Sequence, residues 1–221
     1  MRDLVIVGAG GFARETAAAA GPAWNVLGFV DDDPALLGTS RRGLPILGPV
    51  DSAAGLDAAV VVCVGNPRNY RARRRIVERL GLPADRYATV VHPSVAIGAG
   101  SVVGPGSVLL ASTVLTADVT VGAHVAVMPQ VVLTHDDVVD DYATVASGVR
   151  LGGGAVLRRG AYVGAGALVR EGVTVGAWSL VGMGSVVLHD VPAGQVWAGN
   201  PARLLRETAV SEPPRATTHP R

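Results

Sequence analysis

The stretch IGAGSV VGPGSV LLASTV LTADVT VGAHVA VMPQVV, residues 97–132, decides the fold, because each block of six begins with an aliphatic residue. The same frame continues without a slip from Ile97 to Val187, and all 16 of its positions are aliphatic. Chance does not produce such a run. A fixed short period is the mark of a repeat architecture, in which each repeat adds one unit to a stack.

Four residues after each aliphatic position comes a small or β-branched residue, with Asp137 as the exception. A period of six suits neither an α-helix nor an alternating strand. It predicts a solenoid of 18-residue coils, each with three short strands and three corners, and with the aliphatic residue pointing inward at each corner. Glycine is frequent directly after that residue, where a tight bend tolerates few side chains. The array runs from Ile97 to about Pro192, and the pattern leaves its handedness open.

The composition suits a narrow core and excludes several functions. The chain of 221 residues is 49% hydrophobic but only 4% aromatic, as expected for a core of Val, Ala and Leu. Its net charge of +1 argues against electrostatic binding of nucleic acid. The 19 basic residues are all arginine, which rules out a lysine Schiff base and a P-loop lysine.

The location of the protein is predicted from what the sequence lacks. The apolar residues 4–7 are too few for a signal peptide, and Gly8 interrupts them. No stretch could span a membrane without glycine, proline or charge. The one cysteine, Cys63, lies in the apolar run 58–64 and is expected to be a buried strand thiol rather than a nucleophile. We therefore expect a cytoplasmic protein without membrane insertion.

The first 90 residues have no hexads and predict an α/β domain with a parallel sheet. The predicted order is strand, glycine turn, helix, strand, strand and basic helix, over residues 4–7, 8–13, 14–20, 26–30, 58–64 and 70–80. Gly8, Gly10 and Ala13 fit the G-x-G-x-x-A turn, and Asp31 follows at the end of the second strand.

This glycine turn favours a nucleotide ligand. A turn at a helix N-terminus lets the backbone approach phosphate, and an acidic strand end accepts ribose or sugar hydroxyls. A full dinucleotide fold needs two such halves, and the 90 residues before the hexads hold one. A nucleotide-linked sugar therefore fits this half-Rossmann domain better than NAD. An NAD site and a purely structural turn stay open as alternatives.

The chain divides into three predicted parts. These are the half-Rossmann domain 1–90, the hexad domain 91–206 with its C-terminal cap, and a tail, 207–221, that is rich in Pro, Thr and Arg and is expected to be disordered. His92 begins the first coil, because Pro93 forces it toward an extended conformation. Pro192 ends the solenoid.

Hexads that end in Gly-Asn-Pro-Ala-Arg, residues 199–203, and follow a half-Rossmann domain resemble the hexapeptide-repeat acyltransferases. Within these, the chain resembles the nucleotide-aminosugar N-acetyltransferases and the sialic acid O-acetyltransferase-like proteins, over about residues 3–206. The resemblance implies a left-handed parallel β-helix and a homotrimer with active sites between subunits. It also implies that acetyl-CoA binds in the groove between neighbouring helices.

His135 is the predicted general base. It lies two residues after Leu133, so the frame places it outside the core, and Asp136 follows it. Acyl transfer from a thioester needs a base that takes the acceptor's proton, and neutral imidazole suits this task. The family's His-acid motif matches His135-Asp136, with Asp where other members often carry Glu. The carboxylate would hold the ring's tautomer and stabilise the imidazolium that forms.

In similar proteins a backbone N–H about one coil after the base stabilises the oxyanion. Counting 18 residues from His135 leads to Gly153, although a plain glycine-rich corner is an open alternative. His92 and His124 have no acidic neighbour and are expected to be structural or surface residues, and His189 lies where the solenoid ends. The histidine spacings do not stack by coils of 18, so no catalytic metal is predicted.

The resemblance also places the ligands. The predicted contacts of the nucleotide-linked sugar are Gly10, Gly11, Phe12 (where some relatives carry His), Asp31, Asp32, Asn66 and Arg71. The predicted contacts of acetyl-CoA are Thr144 (where some relatives carry a further His), Gly164, Ala165, Gly182, Met183, Asn200, Pro201 and the phosphate partner Arg203. Trp178 and Trp197 are candidate adenine platforms, with a capping role favoured for Trp197.

These observations predict an acetyl-CoA-dependent N-acetyltransferase that acts on the amino group of a nucleotide-linked aminosugar. His135 would serve as the base for direct attack on the thioester. O-acetylation of a sugar hydroxyl would use the same base, and the sequence does not separate the two. A non-catalytic trimeric nucleotide-binding scaffold is the alternative from another class.

Overall fold

The computed structural model describes residues 1–208, and a mostly parallel sheet forms the centre of its first domain. Its strands are β1 (Arg2–Val7), β2 (Trp24–Val30), β3 (Ser40–Arg41), β4 (Leu44–Gly48) and β5 (Ala59–Val62), ordered β3-β4-β2-β1-β5. β1 lies between β2 and β5, and its last four residues, which are all apolar, are fully buried. β3 and β4 were not predicted from the sequence, since Pro45 in a short run argues against a strand.

Short helices flank this sheet. They are α1 (Gly11–Ala19), α2 (Ser52–Gly55) and α3 (Ala72–Leu80), with 3-10 turns at Gly21–Ala23, Pro34–Leu36 and Ala84–Arg86. α1 begins at Gly11 rather than at the predicted Arg14, so the glycine turn is shorter than predicted and Gly10 is the N-cap. Among residues 1–208, no helix has the length and apolar character needed to cross a bilayer.

The hexads form two-residue strands at intervals of six along the chain. These are β6 (Val90–Val91), β7 (Ala96–Ile97), β8 (Val102–Val103), β9 (Val108–Leu109), β10 (Val114–Leu115), β11 (Thr120–Val121), β12 (Ala126–Val127), β13 (Val132–Leu133), β14 (Val138–Val139), β15 (Thr144–Val145), β16 (Arg150–Leu151), β17 (Val156–Leu157), β18 (Tyr162–Val163), β19 (Leu168–Val169), β20 (Thr174–Val175), β21 (Leu180–Val181) and β22 (Val186–Val187). The array begins one hexad earlier than predicted, because Val90 and Val91 pair with the strand one coil later.

The strands stack into three parallel sheets. We call them sheet I (β6, β9, β12, β15, β18, β21), sheet II (β7, β10, β13, β16, β19, β22) and sheet III (β8, β11, β14, β17, β20). The chain visits them in the order I, II, III, so three corners, I–II, II–III and III–I, run along a triangular prism. Paired residues lie one coil apart, as Val114 and Val132 do. The predicted fold class, a half-Rossmann domain followed by a left-handed parallel β-helix of hexapeptide repeats, is confirmed.

The aliphatic residue of each hexad lies in a strand, not at a corner as predicted. It is the second residue of its strand, and from Leu109 to Val187 its side chain is buried. Ile97 is 46% exposed, because β7 has no earlier strand beside it in sheet II. The corner comes later: the third residue after each aliphatic position has a positive φ from Gly100 to Gly184. Glycine fills many of these left-handed positions, and other residue types strain them.

A short hairpin closes the C-terminal end of the prism. It consists of β23 (Gln195–Gly199), which continues sheet I beside β21, and β24 (Ala202–Glu207), antiparallel to it. Trp197 packs against the β-helix core, consistent with a cap. Glu207, the first residue of the predicted tail, belongs to β24 because it pairs with Gln195. Residues 209–221 of that tail lie outside the described residues.

The first domain packs against sheet I and corner III–I. Ala9 and Ala13 share an apolar cluster with Val108 and Leu110 of the β-helix. At corner III–I, the Tyr70 hydroxyl donates to a backbone carbonyl of the corner, 2.8 Å away. The two domains therefore share part of one core.

Arg73 of α3 is the polar link between the domains. It is 2% exposed, and burial lowers its pKa to about 10. No carboxylate contacts it among the described residues. Its guanidinium donates instead to the carbonyl oxygens of Val64, His124, Tyr142 and Ala143 and to the Thr144 hydroxyl, over 2.7–3.3 Å.

We expect Arg73→Ala to lower the free energy of unfolding by about 3 kcal/mol, because it leaves several buried acceptors without a donor and opens a cavity. Arg75→Ala is the matched control on the same helix, since Arg75 is exposed and donates to Asn69 at 2.6 Å. It should change stability by less than about 0.5 kcal/mol. Urea denaturation followed by circular dichroism measures both, and equal midpoints would contradict this role of Arg73.

Candidate active site

His135 stands on corner II–III, in the turn between β13 and β14. Its side chain is exposed, and its Nδ1 lies 2.8 Å from Oδ2 of Asp136. The hydrogen bond that His135 donates to the Asp136 carboxylate is the main cause that raises the pKa of His135 above its ordinary value. With Nδ1 held by the carboxylate, Nε2 is the ring nitrogen left to accept a proton from a ligand. Asp136 has a φ of 64°, one of the left-handed corner positions.

The ring of His135 lies directly over Gly153 of the next coil. A Cβ added to Gly153 would clash with both Cε1 and Nε2 of the ring, so only glycine leaves the ring in this place. The neighbouring Gly154 N–H donates to the His135 carbonyl oxygen, 2.9 Å away. Within residues 1–208, the Gly153 N–H itself donates to no acceptor. Corner II–III therefore brings the imidazole of His135 and the backbone of Gly153 side by side, and their catalytic roles stay predictions.

A second group of predicted residues lies where β1, β2 and β5 end. The Ala9 N–H donates to Oδ2 of Asp31 at 2.8 Å, so the aspartate fixes the glycine turn. A Cβ at Gly10 or Gly11 would meet nothing within 4 Å, which leaves open space at the start of α1. Phe12 packs partly buried against the apolar cluster beneath the turn. This edge can receive a phosphate at the N-terminus of α1.

The other predicted sugar contacts have partners within the protein. Asn66 lies after β5 at the same sheet edge, and its Oδ1 accepts the N–H groups of Arg68 and Asn69. Asp32 forms an ion pair with Arg79, 2.6 Å away, and this pair lowers the pKa of Asp32.

Arg71 lies apart from the glycine turn. Its guanidinium is 5.0 Å from the Trp178 ring at corner III–I. Trp178 is 4% exposed beneath Arg71 and Arg74, so the expectation that it could be an open adenine platform is wrong in this protomer. The sequence gives no signal for this contact, because it depends on how α3 docks.

The predicted acetyl-CoA contacts are spread over corner I–II, sheet I and the C-terminal hairpin. Ala165 and Met183 lie on consecutive coils at corner I–II, and Met183 is 79% exposed. A Cβ at Gly164 would stand 2.6 Å from the Met183 nitrogen, and one at Gly182 would stand 2.7 Å from the Ala198 Cβ, so coil stacking alone requires both glycines.

Thr144 and the C-terminal hairpin complete the predicted acetyl-CoA contacts. Thr144 lies in sheet I beneath the first domain, where its hydroxyl accepts from Arg73 at 2.8 Å. It therefore belongs to the domain contact rather than to an open groove. Asn200 and Pro201 form the turn between β23 and β24, and Arg203 is exposed beside it.

Two other reactive groups are buried. His124 lies between the rings of Tyr87 and Tyr142, and burial lowers its pKa to about 4. Burial raises the pKa of the Cys63 thiol to about 12, which suits the expected buried strand thiol and not a nucleophile. In the part of the chain that the structure describes, no three His, Cys, Asp or Glu side chains are grouped to hold a metal.

His135 and the glycine turn face different sides of the prism. The first domain covers sheet I and corner III–I, whereas His135 stands on corner II–III, opposite sheet I. The glycine turn therefore lies on the side of the prism away from corner II–III.

Comparison with known proteins gives matches over both domains. Residues 3–80 match the family described as the PglD N-terminal domain. The structure is similar to the acetyltransferase domain of PglB from Neisseria gonorrhoeae FA1090 in complex with acetyl coenzyme A, with a TM-score of 0.83 and 30% identity over 92% of this chain and 99% of that one. No curated protein sequence matches the chain.

Two further solved structures are similar along nearly the whole chain. A histidine-to-asparagine variant of perosamine N-acetyltransferase from Caulobacter crescentus, in complex with CoA and GDP-perosamine, has a TM-score of 0.83 and 25% identity over 92% of this chain and 97% of that one. WeeI from Acinetobacter baumannii AYE has a TM-score of 0.78 and 28% identity over 91% and 99%.

Proposed function

Because this chain belongs to the hexapeptide-repeat acetyltransferases that act on nucleotide-linked amino sugars, we propose that it transfers the acetyl group of acetyl-CoA to the amino group of such a sugar. One observation carries the proposal: the His135 ring, held by Asp136, lies over Gly153, whose N–H donates to no acceptor among residues 1–208. A base and an oxyanion donor side by side are what direct acyl transfer requires.

The residues of corner II–III divide the reaction between them. Nε2 of His135 accepts the proton of the amine as the amine nitrogen bonds to the thioester carbonyl carbon. The Gly153 N–H donates to the carbonyl oxygen as it gains negative charge. Asp136 keeps the imidazolium oriented, and His135 then returns the proton to the sulfur when the carbon–sulfur bond breaks. The products are the amide and free CoA.

The acceptor is delivered by another copy of the chain in this proposal. The glycine turn and His135 face different sides of one protomer, so the site is complete only between subunits. Sheets II and III also carry outward apolar residues that one protomer leaves uncovered, among them Val102 (56% exposed) and Leu168 (44% exposed). We infer a homotrimer with three such sites, which works in the cytoplasm.

O-acetylation of a sugar hydroxyl is the second candidate, because the same base and donor would serve it. The likeness to a perosamine N-acetyltransferase favours the amine. A non-catalytic scaffold would not require an exposed His-Asp pair over a glycine. The scaffold is therefore the least supported of the three candidate functions.

The test is release of CoA thiol from acetyl-CoA with a panel of UDP-, dTDP- and GDP-linked sugars. Each amino sugar is paired with its hydroxy counterpart as a matched control. We expect turnover with at least one amino sugar and at least tenfold less with its hydroxy counterpart, because the amine is the better nucleophile at neutral pH. A preference for the hydroxy sugar would show that the protein is an O-acetyltransferase and not an N-acetyltransferase. No turnover with any acceptor, from a protein that light scattering shows to be trimeric, would favour the scaffold.

A further inference from the structure

Asp137 is the one position where the buried small residue of the hexads is replaced by an acid. It is fully buried, although the equivalent positions carry Ser, Thr, Ala or Val. It follows the proposed base by two residues. A polar residue that breaks an otherwise uniform pattern is expected at a functional site.

The carboxylate of Asp137 ties together the two segments that carry the site. Its Oδ2 accepts the N–H of Thr134, the residue before His135, over 2.6 Å. Its Oδ1 accepts the N–H of Ala155 over 2.9 Å, two residues after Gly153 in the next coil. The base and the backbone donor are thus held in register by one buried group.

Serines elsewhere in the array show which part of this arrangement is ordinary. Ser107 occupies the same place in its hexad, and its Oγ accepts the N–H of Val125 one coil later, 2.9 Å away. A serine therefore satisfies the contact between coils. The Ser107 hydroxyl also donates to the Gly122 carbonyl oxygen, 2.7 Å away, whereas Asp137 accepts a second N–H, that of Thr134, and carries a negative charge.

We infer that Asp137 is a positioning residue, which fixes His135 over Gly153 and places a buried negative charge beneath the imidazolium that forms during the reaction. This inference rests on the proposed function. Asp136 is exposed, so water screens its attraction to the ring, whereas a charge inside the prism is screened less. Burial raises the pKa of Asp137 to about 6, so above that pH the carboxylate is charged.

Few other charged groups lie near Asp137 and His135. Asp136 is on the same corner, Asp118 lies one coil earlier, and Arg170 and Glu171 lie two coils later. At this corner, the coil between that of His135 and that of Arg170 carries the glycines 152–154. The attraction of Asp137 adds to that of Asp136 and raises the pKa of His135 further.

The test is the pKa of His135, measured by NMR titration of the full chain, with the signal assigned from His135→Ala. Asp137→Ser should keep the coil contact, as Ser107 does, but should lower the pKa of His135, because imidazolium loses an attracting charge. The acid limb of kcat/KM should move to lower pH, and kcat should fall about ten- to a hundredfold. Asp118→Ser, which removes an exposed carboxylate from the same corner, should leave the His135 pKa and kcat unchanged.

An unchanged His135 pKa in Asp137→Ser overturns the inference, even if kcat falls, because a merely structural role moves no titration. If the serine variant does not fold, Asp137→Asn, which keeps the shape, gives the same comparison. The titration needs no substrate. A lowered pKa in a protein that acetylates no acceptor would uphold the role of Asp137 toward His135 while the proposed function fails.

Discussion

His135→Ala is expected to lower kcat by about 10²- to 10⁴-fold with an amino-sugar acceptor, because the amine then has no base to take its proton. The side chain is 69% exposed, so its removal leaves the core and the stability of the coil unchanged. The KM for acetyl-CoA should change little, since the ring is not a predicted contact of the cofactor. Steady-state release of CoA thiol at saturating acceptor measures both constants.

The chain offers a matched control in His189→Ala. His189 stands at the same place on corner II–III, is exposed, and is also followed by an aspartate. Oδ1 of that aspartate, Asp190, accepts the Thr174 N–H at 2.8 Å. The control should keep the kcat of the original protein. Loss of turnover in His189→Ala but not in His135→Ala would move the base to the end of the solenoid, and full turnover in both would remove histidine from the mechanism.

The period of six predicted the stacking of the coils but not where they bend. An aliphatic residue at every sixth position must face the interior in any coil of 18, so the pairing of Val114 with Val132 follows from the pattern alone. The bend falls at the third residue after each aliphatic position, which has a positive φ and is therefore suited to glycine. His124, Tyr142 and Trp178 occupy some of these positions, so the glycine pattern that would reveal the bend is interrupted.

The sequence predicted the neighbours within the β-helix better than the contacts between domains. Counting one coil from His135 leads to Gly153, and the structure places the ring over that glycine. Arg71 and Thr144 were predicted as ligand contacts, yet each has its partner across the domain boundary. A repeat fixes distances along the prism, whereas the docking of α3 depends on side chains far apart in the chain.

Asp137 shows what a sequence outlier reveals and what it leaves unknown. The pattern marks it as an exception in a row of small residues. Its burial and its two backbone donors become visible only when coils are stacked. A break in a repeat therefore locates a candidate site, and the structure supplies its chemistry.

Gly153→Ala is expected to fold like the original protein and to lose about a hundredfold in kcat. Ala99 and Ala117 occupy the equivalent place on corner II–III in earlier coils, so the backbone there accepts alanine. The new Cβ would clash with Cε1 and Nε2 of His135, and the exposed ring must move away. The Gly153 N–H is retained in this variant, so the loss reports the displaced base and not a missing oxyanion donor.

Three comparisons make the Gly153 experiment decisive. Gly55→Ala is the control for the exchange itself, because a Cβ at Gly55 meets nothing within 4 Å, and its kcat should not change. Thermal denaturation should give Gly153→Ala a Tm close to that of the original protein. In a His135→Ala background, Gly153→Ala should lower kcat little further, because the ring that the added methyl displaces is already absent. An equal loss in both backgrounds would show that Gly153 acts on the thioester independently of the ring, and an active Gly153→Ala would show that the observed ring position is not the catalytic one.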